Sequence, residues 1–274
     1  MNDMPRRESA AIFPGDMIPD ERQQHLLQWF DTNIGGSNQE LARIFNTSVS
    51  TIRRDLDALA ARGLVRRTHG GAVGLRRRTT AEPSAQAASM TAVEEKQAIA
   101  REAAKRLEPE QSILLDTGST IVHLAHAIAD LAVPLTVVTN DIQIAGILAG
   151  RSHIKLVMPG GTCRYRAYSL MGEPGLSFLR QIRCDRFFLS AQALDGECAS
   201  ETSLELVNLK RAMLAAARAS TLLIDSSRIP ARAIYRLAPL DELNEIITDD
   251  GFPEAEAATF RDQGIAFTRA QVAD

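Results

Sequence analysis

Ser48-Val-Ser-Thr-Ile-Arg-Arg-Asp-Leu56 is the stretch on which the reading of this chain turns. Val49, Ile52, Leu56 and Leu59 recur at three- and four-residue intervals and so line one side of a helical repeat. Ser50, Thr51, Arg53 and Arg54 fall outside that stripe, short hydroxyls first and guanidinium groups behind. A helix that reads DNA has this layout: short groups admit it to the major groove, and arginines reach base edges or phosphates. Upstream, Ser37-Asn-Gln-Glu40 has the spacing of a capping box, in which the Ser37 hydroxyl accepts from the Glu40 N–H. The helix it starts carries Leu41, Ala42, Ile44 and Phe45. Asn46-Thr47-Ser48 interrupts that helix, and Ser48 can cap the next one. Two short helices joined by a tight turn make a helix-turn-helix. Ahead of both, Glu21 to Asn33 gives another helix, with Leu26, Leu27, Trp29 and Phe30 on its core side.

Gly63 stands where the reading helix should end, in reach of the left-handed cap conformation. Beyond it, two short β segments around Gly70-Gly71 form a wing that carries Arg66, Arg67 and His69 toward a polyanion. Between Arg43 and Arg78 nine arginines face Asp55 and Asp57, a local balance of +7 in a chain whose net charge is −3. Charge segregated in this way implies a nucleic-acid face on an otherwise acidic protein, with salt-sensitive affinity. The expected DNA contacts are Ser48, Ser50, Thr51, Arg53, Arg54, Arg66, Arg67 and His69. Ser48 to Leu56, together with Gly63-Leu64 and Arg67-Thr-His-Gly-Gly-Ala72, resembles the DNA-binding domain of DeoR-family bacterial regulators. Where that family has an apolar residue, usually Val, this chain has Thr47, similar in size and also β-branched.

A length of 274 residues allows two domains with proper cores, and 45% apolar with 24% charged residues is ordinary for a soluble globular protein. No run of about 18 apolar residues is present, so no membrane association is expected. Pro, Gly and Asp interrupt the N-terminal stretch, which does not read as a secretory signal. Cys163, Cys184 and Cys198 are odd in number and lack C-x-x-C spacing, which argues against a disulfide framework or zinc knuckle and for a reducing cytoplasm. Structural cysteines are the default, a redox or metal sensor the alternative. No cofactor and no metal are expected. The expected divisions are a loose arm over 1–18, a winged helix-turn-helix domain over 19–75, a linker over 76–89 and an α/β domain over 90–274. Arg76 to Arg78 could grip DNA beside the wing or form part of a solvated hinge.

From Met90 the pattern changes. Ala92 to Leu107 reads as an amphipathic helix. Six apolar runs follow, separated by helical stretches: 113–116, 135–139, 154–158, 186–190, 221–225 and 245–248. They predict an α/β fold with a doubly wound, mostly parallel sheet covered on both faces. Ligands of such sheets bind beyond the carboxyl ends of the strands. There, Asp116-Thr-Gly-Ser-Thr120 runs straight into a helix: Gly118 permits close backbone approach, Ser119 and Thr120 offer hydroxyls, and the helix start offers unpaired N–H groups to an anion. Thr139-Asn140-Asp141, Pro159-Gly160-Gly161-Thr162 and Asp225-Ser-Ser-Arg228 end other runs. Each alone is also an ordinary turn with a helix cap; together on one rim they favour a polar, phosphorylated small molecule.

The resemblance continues through Glu95-Lys96, Asp116 to Thr120, Val138-Thr-Asn140, Pro159-Gly-Gly161, Leu209-Lys-Arg-Ala-Met213 and Asp225-Ser-Ser227. These segments resemble the DeoR-type effector domain, which is similar to ribose-phosphate isomerases and in that family senses a phosphorylated sugar. The resemblance implies that Gly118, Ser119 and Thr120 hold phosphate, while Asn140, Gly160, Gly161 and Lys210 line the sugar side. The full expected ligand set adds Asp116, Thr139, Gln192 and Asp225. Two positions depart from the family: Gln192 replaces a carboxylate within Ser190-Ala-Gln-Ala-Leu194, and Arg228 replaces a lysine. Both lie where ligand hydroxyls are read, which implies an effector other than the family's commonest sugar phosphate.

The chain is therefore expected to be a ligand-controlled transcriptional regulator, a repressor of carbohydrate catabolism genes. Its expected partners are a double-stranded DNA operator, a phosphorylated sugar and further copies of itself in a dimer or tetramer. No catalytic residues are expected. The rival reading is an aldose–ketose isomerase with an appended DNA-binding domain. That chemistry needs a general base beside the substrate C–H and a cation at the enediolate. Lys210 could be the cation, and Asp195, Glu197 or Glu205 the base.

Overall fold

A computed structural model describes residues 17–272 except 34, 63, 69, 75–81 and 166. The chain forms two compact units, Met1–Arg76 and Arg77–Asp274. The Gly63 cap, His69, the Arg76 to Arg78 run and nearly all of the N-terminal arm lie outside the described residues.

In the first unit α1 (Pro19–Thr32) opens two residues earlier than the periodicity suggests. Pro19 brings a helical φ to the first turn, and Asp20 and Glu21 oppose the helix dipole there. Then come β1 (Gly35–Ser37), α2 (Asn38–Ile44), α3 (Val49–Ala61), β2 (Val65–Thr68) and β3 (Gly71–Gly74). Both expected caps form: Ser37 Oγ accepts from Glu40 N and Ser48 Oγ from Thr51 N, each at 3.1 Å. Between the helices Asn46 turns at φ 45, and Thr47 N donates to Ala42 O at 2.9 Å, so the turn closes with threonine in place. Leu26, Phe30, Leu41, Phe45, Ile52, Leu56, Leu59 and Val65 are buried together.

The wing has a third strand that the sequence does not suggest, β1, giving the order β1-β3-β2 with both pairings antiparallel. Gly-Gly-Ser has no apolar alternation to announce it. Its partner carries the constraint: a Cβ on Gly71 would lie 2.0 Å from Gly36 O.

The second unit begins with α4 (Ala85–Ser89) and α5 (Val93–Ala104). It continues through β4 (Ser112–Leu115), α6 (Ser119–Asp130), β5 (Leu135–Thr139), α7 (Ile142–Leu148) and β6 (Ile154–Val157). A hairpin, β7 (Thr162–Cys163) and β8 (Leu170–Met171), leads into α8 (Gly175–Leu179), β9 (Cys184–Leu189), β10 (Ala193–Leu194) and β11 (Cys198–Glu201). The remainder is α9 (Leu204–Ala215), β12 (Ala217–Leu223), β13 (Tyr235–Pro239), β14 (Glu245–Asp249), α10 (Glu254–Asp262) and β15 (Ala266–Ala270).

All six expected runs are strands of one seven-stranded parallel sheet, ordered β15-β14-β12-β9-β4-β5-β6. Neighbouring residues face opposite cores. Ile113, Leu115, Val137, Phe188 and Leu223 pack with α5 and α6, while Leu114, Val138, Phe187, Leu189 and Leu222 pack with α9 and α10. That division is why the strands read as continuous apolar runs. A small antiparallel sheet, β10-β11-β13, was not legible in the sequence. From β4 the chain winds through α6 toward β5 and β6; from β9 it winds through α9 the other way, toward β12 and β14. The switch point lies between β4 and β9, where open α/β sheets leave a crevice. Residues 82–89 are a correction to the expected linker: Ser84 Oγ caps α4 at Ala87 N (3.2 Å), and this stretch belongs to the second unit. Among the described residues no helix is long and apolar enough to cross a membrane.

Candidate functional site

On α3, Ser48, Ser50, Arg53 and Arg54 are exposed and Thr51 is half-buried. The Ser48 hydroxyl lies 2.8 Å from those of both Ser50 and Thr51, a polar cluster at the helix start. The opposite face is fixed by a pair that the charge count did not anticipate: Arg22 Nε lies 2.5 Å from Asp55 Oδ2, with both side chains almost fully buried. That pair ties α1 to α3 and leaves Arg53 and Arg54 pointing outward. On the wing Arg66 and Arg67 are half-buried. Arg67 is engaged within the unit, with Asp57 at 2.9 Å and Gly71 O at 2.8 Å. It braces the wing against α3 as well as contributing charge.

In the second unit a cavity of about 160 Å³ opens at the switch point. That is below the roughly 300–1,000 Å³ of drug-sized ligand sites, so it suits a small metabolite. Thr117 to Thr120 after β4 and Ser190 to Gln192 after β9 line it, as do Asp225 and Arg228 after β12. Gly118, at φ 129, precedes α6, and no side chain caps that helix. A Cβ at Gly118 would meet Ser190 Oγ at 2.9 Å. The first N–H groups of α6 thus sit beside the cavity together with the Ser119 and Thr120 residues, an arrangement that attracts an anion.

Gly118, Ser119, Thr120, Gln192, Lys210 and Asp225 of the expected ligand set line this cavity. Asp116 lies behind it. Its Oδ2 accepts from Ser190 N at 3.0 Å and holds the Lys210 ammonium at 2.8 Å. Lys210 also donates to Glu201 Oε1 at 2.6 Å and to Ser190 O at 2.8 Å. An ammonium has three N–H donors, so Lys210 gives the site charge and rigidity and keeps no donor for a ligand. Burial opposes the Lys210 charge, but Asp116 and Glu201 prevail and hold it well above the ordinary lysine range.

Thr139 and Asn140 are fully buried and do not line the cavity: Thr139 Oγ1 accepts from Asp141 N, and Asn140 Nδ2 donates to Leu170 O. Gly160 and Gly161 do not line it either. A Cβ on Gly161 would lie 2.5 Å from Met171 O, so close packing of the β7–β8 hairpin accounts for it. The carboxylates proposed for an isomerase, Asp195, Glu197 and Glu205, are also outside the lining. Asp195 Oδ1 accepts from Glu197 N and Cys198 N, and its Oδ2 pairs with Arg232 at 2.6 Å.

Several lining residues escaped the sequence reading. His123 and His126 share a face of α6 with Ser119, at i+4 and i+7, opposite the buried Ile121, Leu124 and Ile128; that spacing was the available signal. Burial, then the nearby Lys96 charge, hold His123 below the ordinary histidine value. Glu82, Pro83, Ala85, Ala88 and Ser89 close another side. This strap is held down by an ion pair between Glu82 and Arg164 and by the buried Lys96, which donates to Ala88 O and Thr91 O at 2.6 Å. Among the described residues no cluster of His, Cys, Asp or Glu is arranged to hold a metal ion, and the three cysteines are unpaired.

Residues 22–78 match the DeoR-like helix-turn-helix domain and residues 91–250 match the DeoR C terminal sensor domain. The chain is 34% identical over 250 residues to the HTH-type transcriptional regulator YgbI of Escherichia coli (strain K12), covering 91% of this chain and 97% of that one. It is 30% identical over 220 residues to the glycerol-3-phosphate regulon repressor of the same strain, covering 78% and 84%. The L-fucose operon activator of Haemophilus influenzae is 32% identical, with 85% and 93% covered. Among solved structures, ribose 5-phosphate isomerase A of Methanocaldococcus jannaschii aligns over 51% of this chain and 53% of that one, at 15% identity and a TM-score of 0.37. The chain belongs to the DeoR family of helix-turn-helix transcriptional regulators.

Proposed function

We propose that this regulator is a repressor of carbohydrate catabolism genes, that its effector is a phosphorylated sugar or sugar derivative bound in the Gly118 cavity, and that it has no catalytic activity. The observation that carries the reading is the uncapped start of α6 beside the cavity, with Gly118, Ser119 and Thr120 at its mouth. The glycerol-3-phosphate regulon repressor among its relatives supports it. Against an isomerase stand the full engagement of Lys210 by Asp116, Glu201 and Ser190 and the position of the three candidate bases away from the cavity. The protein works as a cytoplasmic homo-oligomer on paired half-sites of duplex DNA, because a helix-turn-helix protomer reads one half-site.

The strap supplies a route for control. The chain that leaves the DNA-reading unit passes through 77–81 and then forms a wall of the cavity at 82–89. An effector that prefers one arrangement of this wall biases the segment that tethers the reading helix. The test is a thermal-shift screen of the full chain against phosphorylated sugars, repeated with Ser119→Ala/Thr120→Val. A hit should stabilise the wild type and lose most of its effect in the variant. Sustained isomerisation of any hit compound would favour the enzyme reading.

A further inference from the structure

The polar groups around the cavity are unevenly committed. Among the described residues four carboxylates line it, Glu82, Asp141, Glu201 and Asp225, and each is already held by the protein. Glu82 pairs with Arg164, and Glu201 with Lys210. Asp141 Oδ1 accepts from Gln143 N and Ile144 N, and its Oδ2 from Thr117 Oγ1 at 2.6 Å. Asp225 is held by Ser227 and by Arg228 Nε at 3.1 Å.

Two side chains of the wall, Gln192 and Arg228, carry uncommitted N–H donors. Arg228 Nη1 donates to Ala191 O at 3.1 Å and to Gln192 Oε1 at 3.2 Å. Guanidinium can only donate, so this contact fixes the Gln192 amide with its oxygen toward Arg228 and its Nε2 turned away. The Gln192 main chain is itself anchored to Ser200 O at 3.2 Å. Gln192 Nε2 and Arg228 Nη2 are left without a protein partner among the described residues, on two side chains that both line the cavity. A carboxylate at position 192 would accept from ligand hydroxyls and set a second negative charge, beside that of Asp225, against the guanidinium. The glutamine does neither, and the pair adds unpartnered N–H donors to the cavity wall.

The geometry points to an effector with a second anionic group: a phosphorylated sugar acid, whose phosphate sits at the α6 start and whose carboxylate is read by Gln192 and Arg228. This inference rests on the phosphorylated-sugar reading above and narrows it. With Asp225 already pairing Arg228 through Nε, it is the remaining Nη2 and the Gln192 amide N–H groups that match a carboxylate, by hydrogen-bond polarity: two carboxylate oxygens accept from both side chains, which a hydroxyl end does less well.

The experiment is calorimetric titration of the full chain with matched pairs differing only at C1: 4-phosphoerythronate against erythrose 4-phosphate, 5-phosphoribonate against ribose 5-phosphate, and 6-phosphogluconate against glucose 6-phosphate. In at least one pair the acid should bind at least tenfold more tightly than the aldose. Gln192→Glu, which sets a like charge against the carboxylate while keeping a partner for Arg228, should remove that preference by weakening the acid at least tenfold relative to its aldose. Arg228→Lys, which keeps the charge but not the planar set of donors, should weaken the acid more than its aldose. Equal or tighter binding of every aldose that binds would overturn the acid inference and leave the phosphorylated-sugar reading standing. Failure of all six compounds and of inorganic phosphate to bind would overturn both.

Discussion

Lys210 shows how a buried charge can be structural in the wall of a cavity. Its three N–H groups meet Asp116, Glu201 and Ser190 O, which joins β4, β9, β11 and α9 at the switch point. Removing it strands two carboxylates in the interior, and breaking a buried ion pair typically costs about 3–5 kcal/mol. Lys210→Met should lower unfolding stability by about that much in a urea melt, and a loss below about 1 kcal/mol would contradict the assignment. Lys96 carries the opposite strain. Burial pulls its ammonium down to about 8, with Asp225 partly restoring it, against an ordinary 10.5. Below pH 8 it is charged in the folded and the unfolded chain alike, and the folded state bears the full cost of burying it. Between about 8 and 10.5 the unfolded chain holds the extra proton, so this group makes stability rise with pH. From pH 7.5 to 10 the wild type should gain on the order of 2 kcal/mol relative to Lys96→Met. A difference that is flat or falls with pH would rule this out.

At the scale of elements, α3 divides its labour by face. Ile52, Asp55, Leu56 and Leu59 are buried, and Ser48, Ser50, Arg53 and Arg54 are exposed. If Arg53 and Arg54 contact phosphates, replacing both with alanine should flatten the salt dependence of duplex binding by up to about 1.8 in log–log slope, roughly 0.9 per contact. If they read bases, the slope stays and discrimination against non-operator DNA falls by about 1–3 kcal/mol for each contact. An unchanged slope and unchanged discrimination would remove both residues from the interface. Legibility also divides by element. The apolar stripe of α3, the two serine caps and the six apolar strands could be read from the sequence because local patterns repeat there. β1 could not, since Gly35-Gly-Ser37 is a strand only by pairing with β3. β15 was missed because Ala266-Phe-Thr-Arg-Ala270 lacks a sustained apolar run, yet it closes the sheet edge beside β14. Asp55 looked like a surface charge, because its buried partner Arg22 lies 33 residues earlier in the chain.

For the whole molecule, the sequence divides into a DNA-reading part and an α/β part, and the chain folds as two compact units. The cavity was legible where a motif meets a strand end, at Gly118 to Thr120, Gln192 and Asp225. It was not legible where distant segments close over it, at Glu82, Ala88, His123 and Glu201. Those residues reach the site through topology, which local spacing does not encode. That residues 82–89 wall the cavity is likewise visible only in the folded chain. The central claim is that occupancy of the Gly118 cavity changes the grip of α3 on DNA. The most direct measurement is the affinity of the full chain for a labelled duplex from its own promoter region, by fluorescence anisotropy at fixed salt. It is made with and without a phosphorylated sugar or sugar acid that saturates the second unit, in the wild type and in Ser119→Ala/Thr120→Val. The expected result is a shift of about 5- to 150-fold in the wild type that is abolished in the variant; an unchanged affinity at saturating ligand would contradict it.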